Sequence, residues 1–259
     1  MENRIVEVVE NTIDNRNKIC DYETYLQKVK QNAFKKEMYV SYYMFDETFR
    51  DHVLKYKSVK KYDGLAYPNR IIIDLDKGNI DGKSMQNYLI HSCNELFDFG
   101  IDSSHVNIWF SGSGYHIELL NVFGFQPNKN VHEKVKATLT EHFTFGDNIY
   151  DKTRIIRSNW SLNRKTGLHK VWIPLEDMFN ISYDEVCNIA KSRKTYKEYE
   201  KTKPNFYATF NSHDTIVEPY LQSSIIAHKT NVSLKPMRTS DANSVVTCVQ
   251  HIFNEGPIQ

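Results

Sequence analysis

Glycine and proline are scarce, 10 and 7 among 259 residues, which argues against long flexible linkers. The four cysteines, Cys20, Cys93, Cys187 and Cys248, are scattered with no C-x-x-C pair. Neither a zinc knuckle nor a disulfide framework is therefore expected, and reduced thiols are the default. No apolar run approaches the roughly 18 residues that span a bilayer, and the acidic opening MENRIVEVVE lacks a signal-peptide pattern. The expectation is a soluble, intracellular protein with no membrane partner. A dominant charge is missing too: 33 basic side chains against 32 acidic ones leave a net +1. Such a balance neither signals nor excludes nucleic-acid binding, because a neutral total can hide a local basic groove. No internal repeat is visible.

What is present is the composition of a packed globular protein, 40% hydrophobic and 25% charged. At about 100 to 200 residues per domain, the length fits one large or two small domains. Val6, Val9 and Ile13, then Tyr25, Leu26 and Val29, fall at helical spacing, so residues 1–35 read as two amphipathic helices. The run MYVSYYMF reads as a strand, followed by a helix over 46–56. Residues 70–76, RIIIDLD, read as a buried strand ending in two acids, and a helix is expected over 82–99 with Met85, Leu89, Cys93 and Leu96 on one stripe. Strand-like runs at 106–111 and 115–120 flank Gly112-Ser113-Gly114 as a hairpin. Residues 131–142 read as a helix and 168–174 as a strand. Ser182 and Glu185 form a capping-box pattern that opens a further helix. The most basic stretch, KSRKTYKEYEKTK at 191–203, holds six basic residues against two acidic ones.

Three elements carry chemistry. Asp74 and Asp76 point to the same side of their strand, where two hard oxygen ligands can share Mg²⁺ or Mn²⁺; the plainer reading is a pair of polar residues leaving a sheet. In FSGSGYHIELL, the small residues Ser111, Gly112, Ser113 and Gly114 let backbone N–H groups approach a polyanion, and His116 can donate to phosphate. An ordinary hairpin turn fits the same residues. Tyr115 and His116 alternate faces, so only one of them can look into a site. The third element, DKTRIIRSNWSLNRKTGLHKVWIP, places Asp151 with Arg154, Arg157, Arg164 and Lys165, cations suited to phosphates, in what also reads as a solvated loop.

Taken in order, D-x-D, then S-G-x-G-Y-H, then Asp with R-x-x-R-x-x-x-S-L-N-x-K-T-G-L resembles the catalytic subunit of archaeo-eukaryotic primases, the primase-polymerase superfamily. The third block is the most specific, with Asp151, Arg154, Ile156, Arg157, Ser161, Leu162, Gly167 and Leu168 in the family's register. The resemblance covers roughly residues 65–175 and is nearer to the small primases of phages and plasmids. Asn163 stands where the family has a histidine after S-L, and the turn is one residue shorter than in cellular primases and lacks their paired basic residues. No Cys/His cluster exists for their structural zinc, so none is expected.

The resemblance implies an α+β fold, an RRM-like antiparallel sheet with flanking helices. It also implies a catalytic domain over 1–190 with its core at about 38–178. Residues 191–259 would then be a basic helix and C-terminal segment opening a helical accessory domain, which residues 246–256 resemble; a helicase fused beyond it or associated with it is the matching partner. Asp74, Asp76 and Asp151 match the metal-binding acids, and His116, Ser111 and the glycine turn match the nucleotide's phosphate site, with Arg157, Asn163 and Lys165 beside it. The implied activity is templated nucleotidyl transfer with Mg²⁺ or Mn²⁺ in a two-metal site, from NTP or dNTP on single-stranded DNA, in the cytoplasm, or the host cytoplasm if phage-encoded. Arg154, Arg164, Lys191, Arg193, Lys194 and Lys197 are the candidate DNA contacts, with Tyr196 or Tyr199 as stacking platforms; a solvent-exposed helix is the simpler account of 191–203. Two rival readings stay open, a metal-dependent nuclease or phosphodiesterase and a non-catalytic module that binds single-stranded nucleic acid.

Overall fold

The computed structural model describes residues 4–203 apart from Asn121 and Asn148. The weak periodicity after Asn205, the resemblance at 246–256 and Cys248 lie outside the described residues. The chain begins with strands β1 (Ile5–Glu10) and β2 (Ile19–Asp21), helix α1 (Tyr22–Asn32), strands β3 (Met38–Ser41) and β4 (Met44–Phe45), and helix α2 (Glu47–Tyr56). Strands β5 (Ala66–Tyr67) and β6 (Arg70–Leu75) lead into helix α3 (Gly82–Asp98), the hairpin β7 (Val106–Phe110) and β8 (Tyr115–Leu120), and helix α4 (Val131–His142). Then follow β9 (Ile155–Arg157), β10 (Leu162–Asn163), β11 (Leu168–His169) and β12 (Val171–Ile173), and helices α5 (Leu175–Met178), α6 (Tyr183–Ile189) and α7 (Arg193–Lys201).

The result is α+β, with every strand pairing antiparallel. One sheet runs β5-β4-β1-β3-β9 with β2 also on β1, a second runs β12-β7-β8-β6, and β10 and β11 form a small ribbon. Side-chain alternation divides the second sheet into two unlike faces. Ile71, Ile73 and Leu75 of β6 pair with Leu119, Ile117 and Tyr115 of β8 on the apolar face. Helix α3 lies over it, turning Met85, Leu89, Cys93 and Leu96 inward and accepting the Tyr115 hydroxyl on Gln86 Oε1 at 2.7 Å. Burying each such aliphatic side chain contributes about 1.5–3 kcal/mol. The other face carries Arg70, Asp74, His116, Glu118, Asn107 and Trp109, the polar residues on which the site is built.

Local signals position these elements. Asp21, Asp46 and Asp81 cap α1, α2 and α3 by accepting from the N–H groups of Thr24, Thr48 and Ser84. The Ser182/Glu185 capping box opens α6 as its spacing predicts. Three expectations need correction. Residues 5–10 form a strand and not a helix, because Ile5, Val6, Val8 and Val9 make a β-branched run buried on both faces, within which Val6 and Val9 fall at helical spacing by coincidence. The run at 38–45 splits at Tyr42-Tyr43 into β3 and β4. Residues 168–174 likewise split at Lys170, whose fully buried ammonium is drawn toward a carboxylate. No helix among the described residues is long and apolar enough to cross a membrane.

Tyr42 joins the two sheets. Its hydroxyl accepts from the Ile72 N–H at 2.7 Å and lies 3.1 Å from the Ile72 carbonyl, serving the edge of β6 where no further strand pairs among the described residues. Removing it strands two buried backbone groups, so Tyr42→Phe is expected to cost about 1–3 kcal/mol. Urea denaturation should show the midpoint falling with an unchanged slope.

Candidate active site

The β6–β8 register sets Asp74 directly opposite His116. Asp74 is half-buried at the end of β6, and Asp76, one residue beyond the strand, is exposed on the same side. Asp151 arrives on the loop between α4 and β9, which is latched to β6 by the Asp147 N–H donating to the Asp74 carbonyl at 2.8 Å. All three acids line one cleft of about 760 Å³. Among the described residues, however, no three His, Cys, Asp or Glu side chains stand closely enough together to form a metal site. The expected triad is therefore drawn to one cleft without converging on one point.

Burial, then the negative charges of Asp147 and Asp76, pushes the Asp74 carboxyl up to about 6. An excess of hard oxygen donors that disfavour one another is the environment a divalent cation relieves, so the Asp74/Asp76 pair fits Mg²⁺ or Mn²⁺ by donor chemistry. Mg²⁺ keeps several waters, which would allow Asp151 to act through one.

The rest of the cleft's lining suits an anion. Ser111, Ser113, Asn163 and Lys165 line it with Arg154 and Arg164. The turn is compressed against the protein: a Cβ on Gly114 would lie 2.0 Å from the Leu75 carbonyl, and one on Gly112, at φ +96°, would lie 2.6 Å from the Asn163 Cβ. Glycine is thus required here for close approach of the hairpin to the end of β6 and to β10. Gly114 N–H donates to Ser111 Oγ, and Ser111 N–H to the Gly114 carbonyl. Among the described hydrogen bonds, none uses the N–H of Gly112 or Ser113.

His116 is 4% exposed, with Nε2 3.5 Å from Asp74 Oδ1 and Nδ1 buried without a partner. Burial, then Lys170, Arg157 and Arg70, drives its pKa well below the ordinary histidine value, so the ring is neutral. Tyr115 faces the other way, as alternation requires. Behind His116 on the same face, Glu118 receives Arg70 at 2.7 Å and Lys170 at 2.8 Å. Burial pushes Lys170 down to about 8, opposed by Glu118. Burial alone would raise the Glu118 carboxyl, yet the two cations hold it below its ordinary range. Lys170 also donates to the Arg157 carbonyl at 3.2 Å, tying β9 to this network.

Arg157 lines the cleft, but its guanidinium is already engaged. It donates to Glu37 Oε1 at 3.2 Å, to the Leu162 carbonyl at 2.6 Å and to the Tyr39 hydroxyl at 3.1 Å. Arg164 approaches Glu37 Oε2 at 3.6 Å, and Arg16 is held by Glu7 at 2.7 Å. Arg154 and Lys165 are the cleft cations with no direct ion pair among the described residues, although Arg154 is near enough to Asp74 to favour its charged form. Glu37, Tyr39, Asp147 and Lys170 escape the sequence reading; each belongs to a segment outside the motif blocks or reads as part of a strand, and only the fold brings them in.

The basic stretch is placed elsewhere. Lys191 and Lys194 do not line this cleft, and Arg193 and Lys197 line a different cavity. Tyr196, a candidate stacking platform, is 1% exposed and packs on Trp160 and Phe34, so it cannot receive a base. Tyr199 donates its hydroxyl to Asp177. Helix α7 is therefore exposed on its charged side alone, because its aromatic side seals the body.

No protein-family model matches the chain, and no curated protein matches it.

Glu118→Gln should destabilise the protein by about 3–5 kcal/mol, since it leaves two buried cations without their shared carboxylate. Thermal unfolding at neutral pH checks this. The carboxylate's folded pKa is depressed, so the wild-type advantage should be present above the ordinary carboxylate range and disappear as the pH falls through and below it.

Proposed function

We propose that this chain is a DNA-templated nucleotidyltransferase of the primase-polymerase kind, making or extending primers from NTP or dNTP on single-stranded DNA. The observation that carries the reading is the single cleft that unites three sequence-distant blocks, lined by the acids Asp74, Asp76 and Asp151 together with Arg154, Lys165 and the serine-bearing turn. The β–α–β–β path from β6 to β8, feeding an all-antiparallel four-stranded sheet, supports an RRM-like core. A nuclease would need the acids but has less use for an anion cradle beside them.

Asp74, Asp76 and Asp151 would hold Mg²⁺ or Mn²⁺, which supplies charge neutralisation and activation of the attacking hydroxyl. The chain itself does the positioning. Lys165 and Arg154 balance the triphosphate, and the N–H groups of Gly112 and Ser113 with the Ser111 and Ser113 hydroxyls orient it. Asn163 stands where the resemblance calls for histidine; its Oδ1 accepts from the Lys165 N–H at 3.1 Å and so orients the lysine segment. Neutral His116 keeps Asp74 in place from the sheet side. Arg157 holds the β3–β9 wall through Glu37 and Tyr39, a positioning role in place of the direct phosphate contact that the resemblance implies.

Labelled nucleotide, Mn²⁺ and primed single-stranded DNA give the test. Extension is expected; shortening of the DNA in its place would transfer the cleft to a nuclease. Asp76→Ala should lower incorporation by about 100-fold or more while DNA binding persists. Lys165→Ala or Arg154→Ala should raise the apparent nucleotide KM by about tenfold with a smaller effect on kcat, separating phosphate binding from chemistry.

A further inference from the structure

Helix α2 runs out into Lys55-Tyr56-Lys57-Ser58-Val59-Lys60-Lys61, four lysines in seven residues with no acid between Asp51 and Asp63. All four lysines are exposed, and among the described residues none of them makes an ion pair. The neighbouring acids Glu47 and Asp63 are turned to other cations, Arg50 at 2.7 Å and Lys129 at 3.5 Å. Among the lysines stands Tyr56, 58% exposed, with Lys55 Nζ 5.1 Å from its ring centroid.

The loop is held in place. Lys57 and Lys61 sit in the left-handed region at φ +54° and +62°, which non-glycine residues adopt only where their surroundings enforce it. The Lys57 N–H donates to the Val53 carbonyl at 2.8 Å, His52 Nε2 meets the Lys60 carbonyl at 3.0 Å, and Val59 between them is buried. Like charges gathered on a fixed backbone raise the local potential, which a polyanion relieves, and the ordering cost of binding it is already met.

Both segments that frame the acidic cleft are tied to this loop. The Val59 N–H donates to Asn17 Oδ1 at 3.0 Å, and Arg16 beside it lines the cleft and donates to the Thr153 carbonyl at 2.8 Å. From the other side Lys152, next to Asp151, donates to the Gly64 carbonyl at 3.0 Å. Helix α7, the more conspicuous basic stretch, lacks these features: Lys197 pairs with Glu200 and Lys203 with Asp177, and Tyr196 is buried.

We infer that the loop over 55–61 is a docking surface for single-stranded nucleic acid at the rim of the cleft. The lysines take successive phosphates as point charges, without reading sequence. Tyr56 stacks on a base, whose face is offered by a single strand and hidden in a duplex. The inference names the surface that holds the partner of the proposed activity, and rests on that reading for the strand's fate but not for its binding.

Fluorescence anisotropy of the full-length chain with a labelled oligo(dT) of about 20 nucleotides, in EDTA and without nucleotide, reads this surface apart from the metal site. Lys57→Gln with Lys60→Gln and Lys61→Gln should weaken binding about tenfold or more at low salt and flatten the slope of log affinity against log salt by about 2, roughly 0.7 for each lysine. Tyr56→Ala should weaken binding about tenfold with the slope unchanged, since stacking releases no counterions, and Tyr56→Phe should restore it. Lys191→Gln with Lys194→Gln and Lys201→Gln removes the same charge from α7 and should bind as the wild type does. Should the first variant fail to fold, Lys55→Gln with Lys60→Gln is read in its place, its slope falling by about 1.4. No binding of the strand by the wild type, an equal loss from the α7 variant, or a slope unmoved by the loop variants would overturn the inference, as would a preference for phosphatidylserine-rich vesicles over the strand. A strand that the loop holds but the protein never extends sinks the catalytic reading alone. Extension by a protein whose DNA binding is indifferent to the loop sinks this one alone.

Discussion

Glu118 holds the molecule's polar interior together. One carboxylate, 2% exposed, receives Arg70 from the start of β6 and Lys170 from the β11–β12 junction, while Lys170 reaches on to the backbone of β9. A lone buried charge would be prohibitively costly, and two unmatched cations more so; the three together are tolerated because each supplies the others' compensation. The consequence is geometric. Both sheets and the arginine-bearing segment are fixed relative to the β6–β8 pairing, and with them the wall of the cleft that lies beyond His116.

The sheet's two faces divide the labour. Ile71, Ile73, Leu75, Ile117 and Leu119 are packed away under α3, where area burial supplies stability without specificity. The charged residues of β6 and β8, with His116 and Asn107, fall on the opposite face at alternate positions. Across that face Asp74 of β6, His116 of β8 and Trp109 of β7 stand in one row, and Glu118 of β8 and Asn107 of β7 stand in the next.

Much of this was legible in the chain. Short-range rules located α2, α3, α4, the β7–β8 hairpin and the α6 cap, since capping aspartates, the Gly112–Gly114 turn and apolar stripes act within a few residues. The same rules misread residues 5–10, where a β-branched run satisfies helical and strand periodicity alike until its pairing partner is known. The residues of the motif blocks, Asp74, Asp76, Asp151, Ser111, Ser113, His116, Arg154, Arg157, Asn163, Arg164 and Lys165, line one cleft. The motif blocks did not foretell that Arg157 would be taken up by Glu37 and Tyr39, or that Tyr196 would be sealed in the body. Those outcomes depend on partners more than 100 residues away for Arg157.

The residues themselves determined the class of elements, the acids' common side on β6 and the need for glycine beside them, because these follow from backbone sterics and strand alternation. Tertiary structure alone decided which charges remain free for a ligand. Arg154 and Lys165 make no direct ion pair among the described residues, while Arg157, Arg70 and Lys170 are committed. The sequence writes all five alike as cations; whether one is neutralised depends on which carboxylate the fold brings within a few ångströms, and on how much water is left between them.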